Sequence, residues 1–459
     1  MARARRLQVP RLQTALMALA LAITTALGPS PLAPTAHAAS PIGVRQIVAG
    51  SVGRSSLALD AVYRARLKLN WDTRAIWVDS TAIITNTSGG EIDRIELNTI
   101  AARLGAIRLR PVTVDGVAVA ASISGQTIVI PLGGVLPAGA VTKIRVRFSA
   151  RLRSTVGGSD WLFTRANGIA DLYRWLPWVS RRVTFERPNH GDPFVTPTSR
   201  DVRVRVTTDR PLDLATTGDL VSTSADGLTS VFQARDVRDF TVTAARDYQV
   251  LERAVGETTV RVWFRPGTRG AAWLDAAADA FGALEERLGA YGYPSFDVVQ
   301  SAGGAGMESP GLIWIPGGVA AGNLRYLVAH ETAHQWFYGI VGSDQVSEPF
   351  TDEAAADFAA RSVLGLRRAS RCPSDRMDRS IYDYSAACYY ETVYIGGGNL
   401  LDDARQQMGS DLFWAALRGY VAANRHKLAS TSSLLQALDD ATPLDLAGSL
   451  FAARFPRIY

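Results

Sequence analysis

Residues 323–339 read NLRYLVAHETAHQWFYG, and this stretch decides how the rest of the chain is understood. Asn323 suits a helix N-cap, the apolar positions that follow recur at helical spacing, and Gly339 supplies a stop, so a helix is predicted over 324–338. His330 and His334 stand four residues apart. Positions at that separation share one helix face, one turn apart, where two imidazoles can reach a single zinc ion. Glu331 lies to the side of that pair, where it can hold a water rather than the metal. Histidine is scarce, 5 in 459 residues, so two of them in this pattern are unlikely to coincide by chance.

A catalytic zinc site needs a third protein ligand and keeps its fourth position open. After Gly342 comes a loop, then a second predicted helix over 351–364, stopped by Gly365. Glu353 sits in its first turn. Antiparallel packing of the two helices returns Glu353 to the level of the histidines, completing a site for one zinc per chain. Glu348 is the rival ligand, although it precedes Pro349 and falls in the loop. Asp357, one turn after Glu353, is a candidate acceptor for a hydrogen bond from a ligand histidine, with a solvated helix charge as the competing reading.

The spacing resembles that of the M1 family of gluzincin aminopeptidases: HExxH, eighteen residues (335–352 here), then the glutamate ligand. Thr351-Asp352-Glu353-Ala354 resembles the family's LNEG segment, with Asp352 in place of asparagine. Upstream, Gly306-Met307-Glu308-Ser309 resembles the end of GxMEN, with Ala305 and Ser309 as departures. Downstream, Val393-Tyr394-Ile395-Gly396-Gly397 resembles VYEKG without its lysine. The resemblance implies His330, His334 and Glu353 as zinc ligands and Glu331 as general base. It implies Glu308 as the group that binds a substrate's free amino group, and Tyr394, with Tyr389 and Tyr390 as competitors, as the phenol facing the tetrahedral intermediate. The implied activity is that of an aminopeptidase acting on peptides. An endopeptidase is the alternative because GxMEN is degraded, and a zinc-stabilised binding protein without turnover is a further one.

The organisation fits. From 55 to 250, alternating or apolar runs at 63–71, 76–85, 92–97, 127–131, 143–149, 202–207 and 239–244 are separated by turn residues, which predicts an antiparallel sandwich or saddle-shaped sheet. Trp175 and Trp178 read as packing within it. After residue 251 a strand at 259–264 leads to a helix over 271–288 and a strand near 297–300, and from 323 the pattern is mostly helical. The expected architecture is multidomain: an N-terminal β domain over 39–250, then an α+β, mostly helical, thermolysin-like catalytic domain over 251–459, the latter likeness implied by the resemblance. The chain ends before the helical C-terminal domain of many relatives, so an open cleft is expected.

The net charge is +6, but four arginines (Arg3, Arg5, Arg6, Arg11) lie in residues 1–38, leaving +2 on the remainder. No arginine-rich stripe with interleaved aromatics is evident along the chain, so nucleic acid is not an expected partner. Residues 1–38 read as a signal peptide: a basic start, an apolar core over 14–27, and Ala36-His37-Ala38 before a cut. Export to the outside of the cell follows as an expectation, with no stable membrane insertion after cleavage. The two cysteines, Cys372 and Cys388, are expected to pair in such a protein.

Overall fold

The computed structural model describes residues 46–186 and 190–459, so the proposed signal peptide lies outside the described residues. Residues 45–459 form one compact body. Its first half is built on strands β1 (Leu59–Leu69), β2 (Ala75–Asn86), β3 (Ile92–Asn98), β4 (Thr127–Leu136), β5 (Val141–Arg151), β6 (Val202–Thr208) and β7 (Thr229–Ala234). A nine-stranded sheet contains the run β7-β6-β1-β2-β5, and β3 and β4 belong to one of two four-stranded sheets. Strand alternation explains the burial. On β1, Tyr63, Ala65, Leu67 and Leu69 face inward, and Arg64, Arg66 and Lys68 face solvent. Trp175 is fully buried and Trp178 stacks on Tyr63 with ring centroids 4.2 Å apart, so both tryptophans pack as expected.

Two features depart from expectation. The sheet is not wholly antiparallel: β1 and β6 pair in parallel, which the long excursion between them permits, since parallel neighbours need a crossover. The outward residues also form a basic stripe that chain order conceals. Strand pairing sets Arg64 beside Arg203, Arg66 beside Arg205, and Asp79 beside Arg147. The expectation excluded an arginine-rich stripe with interleaved aromatics, and it did not foresee this basic stripe, because cations spaced two apart on separate strands become neighbours only when the sheet forms.

The second half begins with β8 (Gln249–Val255) and β9 (Thr258–Phe264). Helix α1 (Gly270–Leu288) follows, then β10 (Ser295–Ser301), β11 (Met307–Ser309) and β12 (Leu312–Pro316). These strands make a five-stranded sheet in the order β8-β9-β10-β12-β11, leaving β11 at the edge. Helices α2 (Leu324–Ala333), α3 (Ala355–Leu364) and α4 (Gly397–Met408) come next. Two hydrophobic clusters account for most of the core. One draws on residues 59–244 together with Val299, Met307, Leu312 and Trp314; the other spans 260–455. None of the helices among the described residues is long and apolar enough to cross a membrane.

Candidate active site

Helix α2 ends at Ala333, short of the predicted end at Tyr338, and 335–340 form a looser turn in which Phe337 leaves helical geometry (φ −103°, ψ 50°). The side chain of Gln335 accounts for the early ending. Its Nε2 donates to Ser309 O at 2.9 Å, and its Oε1 accepts from Gly311 N at 2.8 Å and Tyr291 Oη at 3.0 Å. Helix α2 is thereby tied to edge strand β11, which carries Glu308. The buried phenol of Tyr338 bonds Asp239 and accepts from Arg174 Nη2 at 2.6 Å, exchanging helical regularity for anchorage to the β-rich half. The second helical segment matches expectation: the turn Phe350–Ala354 runs into α3, and Gly365 closes it in the left-handed conformation (φ 65°).

His330 Nε2, His334 Nε2 and Glu353 Oε2 converge. The separations are 3.2 Å between the nitrogens and 3.4 Å from each nitrogen to the carboxylate oxygen. All three residues are buried. Glu353 Oε2 has no hydrogen-bond partner of ordinary geometry. Lone pairs do not crowd together in a dry interior unless a cation lies among them. Tetrahedral bonds of about 2.0–2.1 Å put ligand atoms about 3.3–3.4 Å apart, so the donor triangle fits zinc. Burial pushes the Glu353 carboxyl up, but the two histidines outweigh it and hold the group well below the usual range.

His334 Nδ1 lies 2.8 Å from Asp352 Oδ1, a contact that fixes the ring so that Nε2 faces the other donors. Asp352, and not Asp357, is therefore the carboxylate on a candidate ligand histidine. The expectation for Asp357 is corrected: it lies 2.5 Å from the Tyr326 hydroxyl and 2.6 Å from Arg361 Nη2. A position one turn beyond Glu353 faces along the helix, whereas the residue adjoining Glu353 turns toward α2. Glu348 is likewise set aside as a ligand, because its Oε2 accepts from Thr431 N at 2.6 Å.

Glu331 and Glu308 face His334 in one buried cluster whose candidate ligand atoms all lie within 4.8 Å. Burial raises the Glu331 carboxyl to about 7, with His330 and His334 opposing the rise. Only a glycine lets the chain pass so close: a Cβ on Gly306 would stand 2.1 Å from Glu331 Oε1. Glu308 is 3% exposed on β11. Burial and the nearby charge of Asp192 push its carboxyl well above the usual range. Gln345 Nε2 donates to Glu308 Oε1 at 3.0 Å and to Asp352 Oδ2 at 2.7 Å, joining the two carboxylates. Neither Gln345 nor Asp192 carries a motif that marks it in the sequence.

Tyr394 lies against the candidate metal donors. Its ring stacks on His330 with centroids 5.5 Å apart and planes 23° apart, and burial with the Glu353 charge raises its hydroxyl well above the ordinary value. Tyr390 is exposed and its hydroxyl lies 3.3 Å from that of Tyr326. Tyr389 is buried with Val346 and Ile381, in a cluster against which Tyr394 also packs. Of the three tyrosines, Tyr394 alone stacks on a ligand-type histidine.

Against solved structures this arrangement has clear counterparts. A point variant of the M1 zinc metallopeptidase from Deinococcus radiodurans superposes with a TM-score of 0.69 at 16% identity, over 87% of this chain and 95% of that one. The chain has the fold of an M1 zinc metallopeptidase. Two further structures align over the same shares. One is the Deinococcus radiodurans enzyme bound to a Tyr-Ser-Ala substrate, at 17% identity and TM-score 0.67. The other is a two-domain M1 zinc metallopeptidase bound to L-tryptophan, at 18% and 0.69. No family model and no curated protein matches the sequence. The M1 fold is thus carried here by a sequence that has diverged far from those structures.

Proposed function

We propose that this chain is an exported, zinc-dependent aminopeptidase that removes N-terminal residues from peptides. The observation that carries the proposal is the placement of Glu308, a carboxylate on an edge strand, against Glu331 and the convergent donors of His330, His334 and Glu353. The M1 fold and its peptide- and amino-acid-bound counterparts support it. Export rests on the N-terminal sequence and the need of a half-buried disulfide for an oxidising compartment.

A zinc ion held by His330, His334 and Glu353 would lower the pKa of a water toward about 7 and polarise a carbonyl. Glu331 takes a proton from the attacking water and delivers it to the leaving amine. Tyr394 donates its phenol hydrogen to the carbonyl oxygen as charge develops there. Glu308 accepts the substrate's α-ammonium, which fixes the scissile bond one residue from the chain end. Gln345 and β11 keep that carboxylate in place.

The test compares kcat/KM for an aminoacyl anilide with that for its N-acetyl form, in wild type and Glu308→Ala. A charge-assisted bond of this kind contributes about 1.5–3 kcal/mol, so the variant loses roughly ten- to a hundredfold on the free substrate and little on the blocked one. Equal cleavage of both substrates by wild type turns the reading to a general peptidase or endopeptidase.

A further inference from the structure

The outer face of the nine-stranded sheet holds a cationic groove lined by none of the candidate active-site residues. Alternation turns Arg64, Arg66 and Lys68 of β1 outward, with Lys143, Arg145 and Arg147 of β5 and Arg203 and Arg205 of β6. Between β1 and β5 runs β2, whose outward residues in the middle of the strand, Asp79 and Thr81, are short. Neighbouring strands lie about 4.8 Å apart, so the two basic walls stand about 10 Å from each other across a low floor. The resulting depression measures about 430 Å³ and is lined by residues that include Arg64, Arg66, Asp79, Thr81, Arg145 and Arg205.

Little inside the chain neutralises this face. Asp79 pairs with Arg145 at 2.6 Å and Asp201 pairs with Arg64. Among the described residues, Arg66, Lys68, Lys143, Arg147, Arg203 and Arg205 form no ion pair within 4 Å. Arg147 Nε is buried without a hydrogen-bond partner. Arg64 lies directly beside Arg203, and Arg66 beside Arg205. Like charges directly opposite across strands destabilise a sheet, so the arrangement costs folding energy and returns it only when an anion enters.

We propose that this groove binds a linear, base-free phosphodiester polymer laid along β2. Successive outward residues on a strand repeat at about 6.8 Å, which presents a ladder of cations to a chain of repeating anions. Arginine forks match phosphate oxygens two at a time. A polymer of nucleotides would call for a row of aromatic platforms on which successive bases stack. No aromatic side chain is among the residues lining the groove, and the exposed Trp77 lines a neighbouring depression on the same face. A bilayer, being flat, would meet the rims and leave the floor empty. A polyol phosphate chain is narrow enough to descend between the walls.

The experiment titrates the full, zinc-loaded protein with fluorescently labelled poly(glycerol phosphate) at several salt concentrations. Oligothymidylate of matched phosphate number and anionic phospholipid vesicles run alongside. Wild type is expected to bind the glycerol phosphate polymer with an affinity that falls linearly with salt on logarithmic axes. The Arg66→Glu/Arg205→Glu variant is expected to bind at least tenfold more weakly, and Arg66→Gln/Arg205→Gln to fall between. Circular dichroism verifies folding, and hydrolysis of a small aminoacyl substrate stays unchanged in both variants. Salt-insensitive or absent binding, or equal binding by the folded glutamine variant, overturns the proposal. Tighter binding of oligothymidylate overturns the base-free assignment, and vesicle binding without polymer binding reassigns the face to a lipid surface.

Discussion

Single side chains divide the candidate site into groups placed to hold a metal and groups placed to meet a substrate. Glu331 lies beside the donor triangle and outside it, so Glu331→Gln is expected to keep one zinc per chain while kcat falls about 10²- to 10⁴-fold. Elemental analysis beside steady-state kinetics checks this, and loss of zinc with activity would make Glu331 a ligand. Asp352 works through His334. Its removal in Asp352→Ala frees the ring to rotate, and zinc affinity is expected to drop about ten- to a hundredfold, as measured by competition with a chelating dye. His330, His334, Glu331 and Glu353 were legible because one helix and one fixed interval carry them. Asp352 was visible only as a departure from a family pattern. Gln345 and Asp192 gave no signal, because what they do depends on which chain segments meet them.

The helices and turns that deliver these residues have their own requirements. Tyr394 sits in the turn Glu391–Gly396 at the head of α4. The disulfide between Cys372 and Cys388, sixteen residues apart, closes the loop just before it. Glu391 holds the other side of that loop through Arg368 at 2.8 Å and Arg371 N at 2.9 Å. Closing a loop of this length stabilises a fold by about 3 kcal/mol. Replacing both cysteines by serine is expected to lose about that much in chemical denaturation and to lower kcat through Tyr394, with zinc content intact. An unchanged denaturation midpoint would show that the bridge constrains nothing. Element boundaries followed the sequence where glycines punctuate it: α1 ends at Gly289 and α3 at Gly365. Helix α2 ended early because Gln335 and Tyr338 found partners in distant segments of the chain, and local periodicity carries no record of them.

Across the whole molecule, the two halves meet through buried polar contacts. Arg238, 1% exposed, donates to Thr196 O at 2.9 Å and to Gly339 O at 3.3 Å. Asp171 Oδ2 accepts from Ala302 N at 2.7 Å. Burial pushes the Asp171 carboxyl up to about 8, whereas an unfolded aspartate titrates near about 3.9. A folded-state pKa above the unfolded one means that the native protein holds this proton more tightly. Its contribution is therefore greatest at low pH and is lost as pH rises from about 4 to about 8. Asp171→Asn keeps the shape and removes the titration. The variant is expected to gain in Tm over wild type at pH 8 and to gain less at pH 5. Parallel Tm profiles across that range would remove Asp171 from the pH dependence.

The sequence by itself determined the candidate donor set and the alternation of strand and helix, because both are written in separations of two, four and nineteen residues along one chain. It could not determine which strands become neighbours. Pairing in parallel between β1 and β6, the cationic groove along β2, and the link from Gln345 to Glu308 each join residues far apart in the chain. Such contacts are chosen by the burial of whole faces and by the demand that every buried polar group find a partner, and only the assembled tertiary structure satisfies both together.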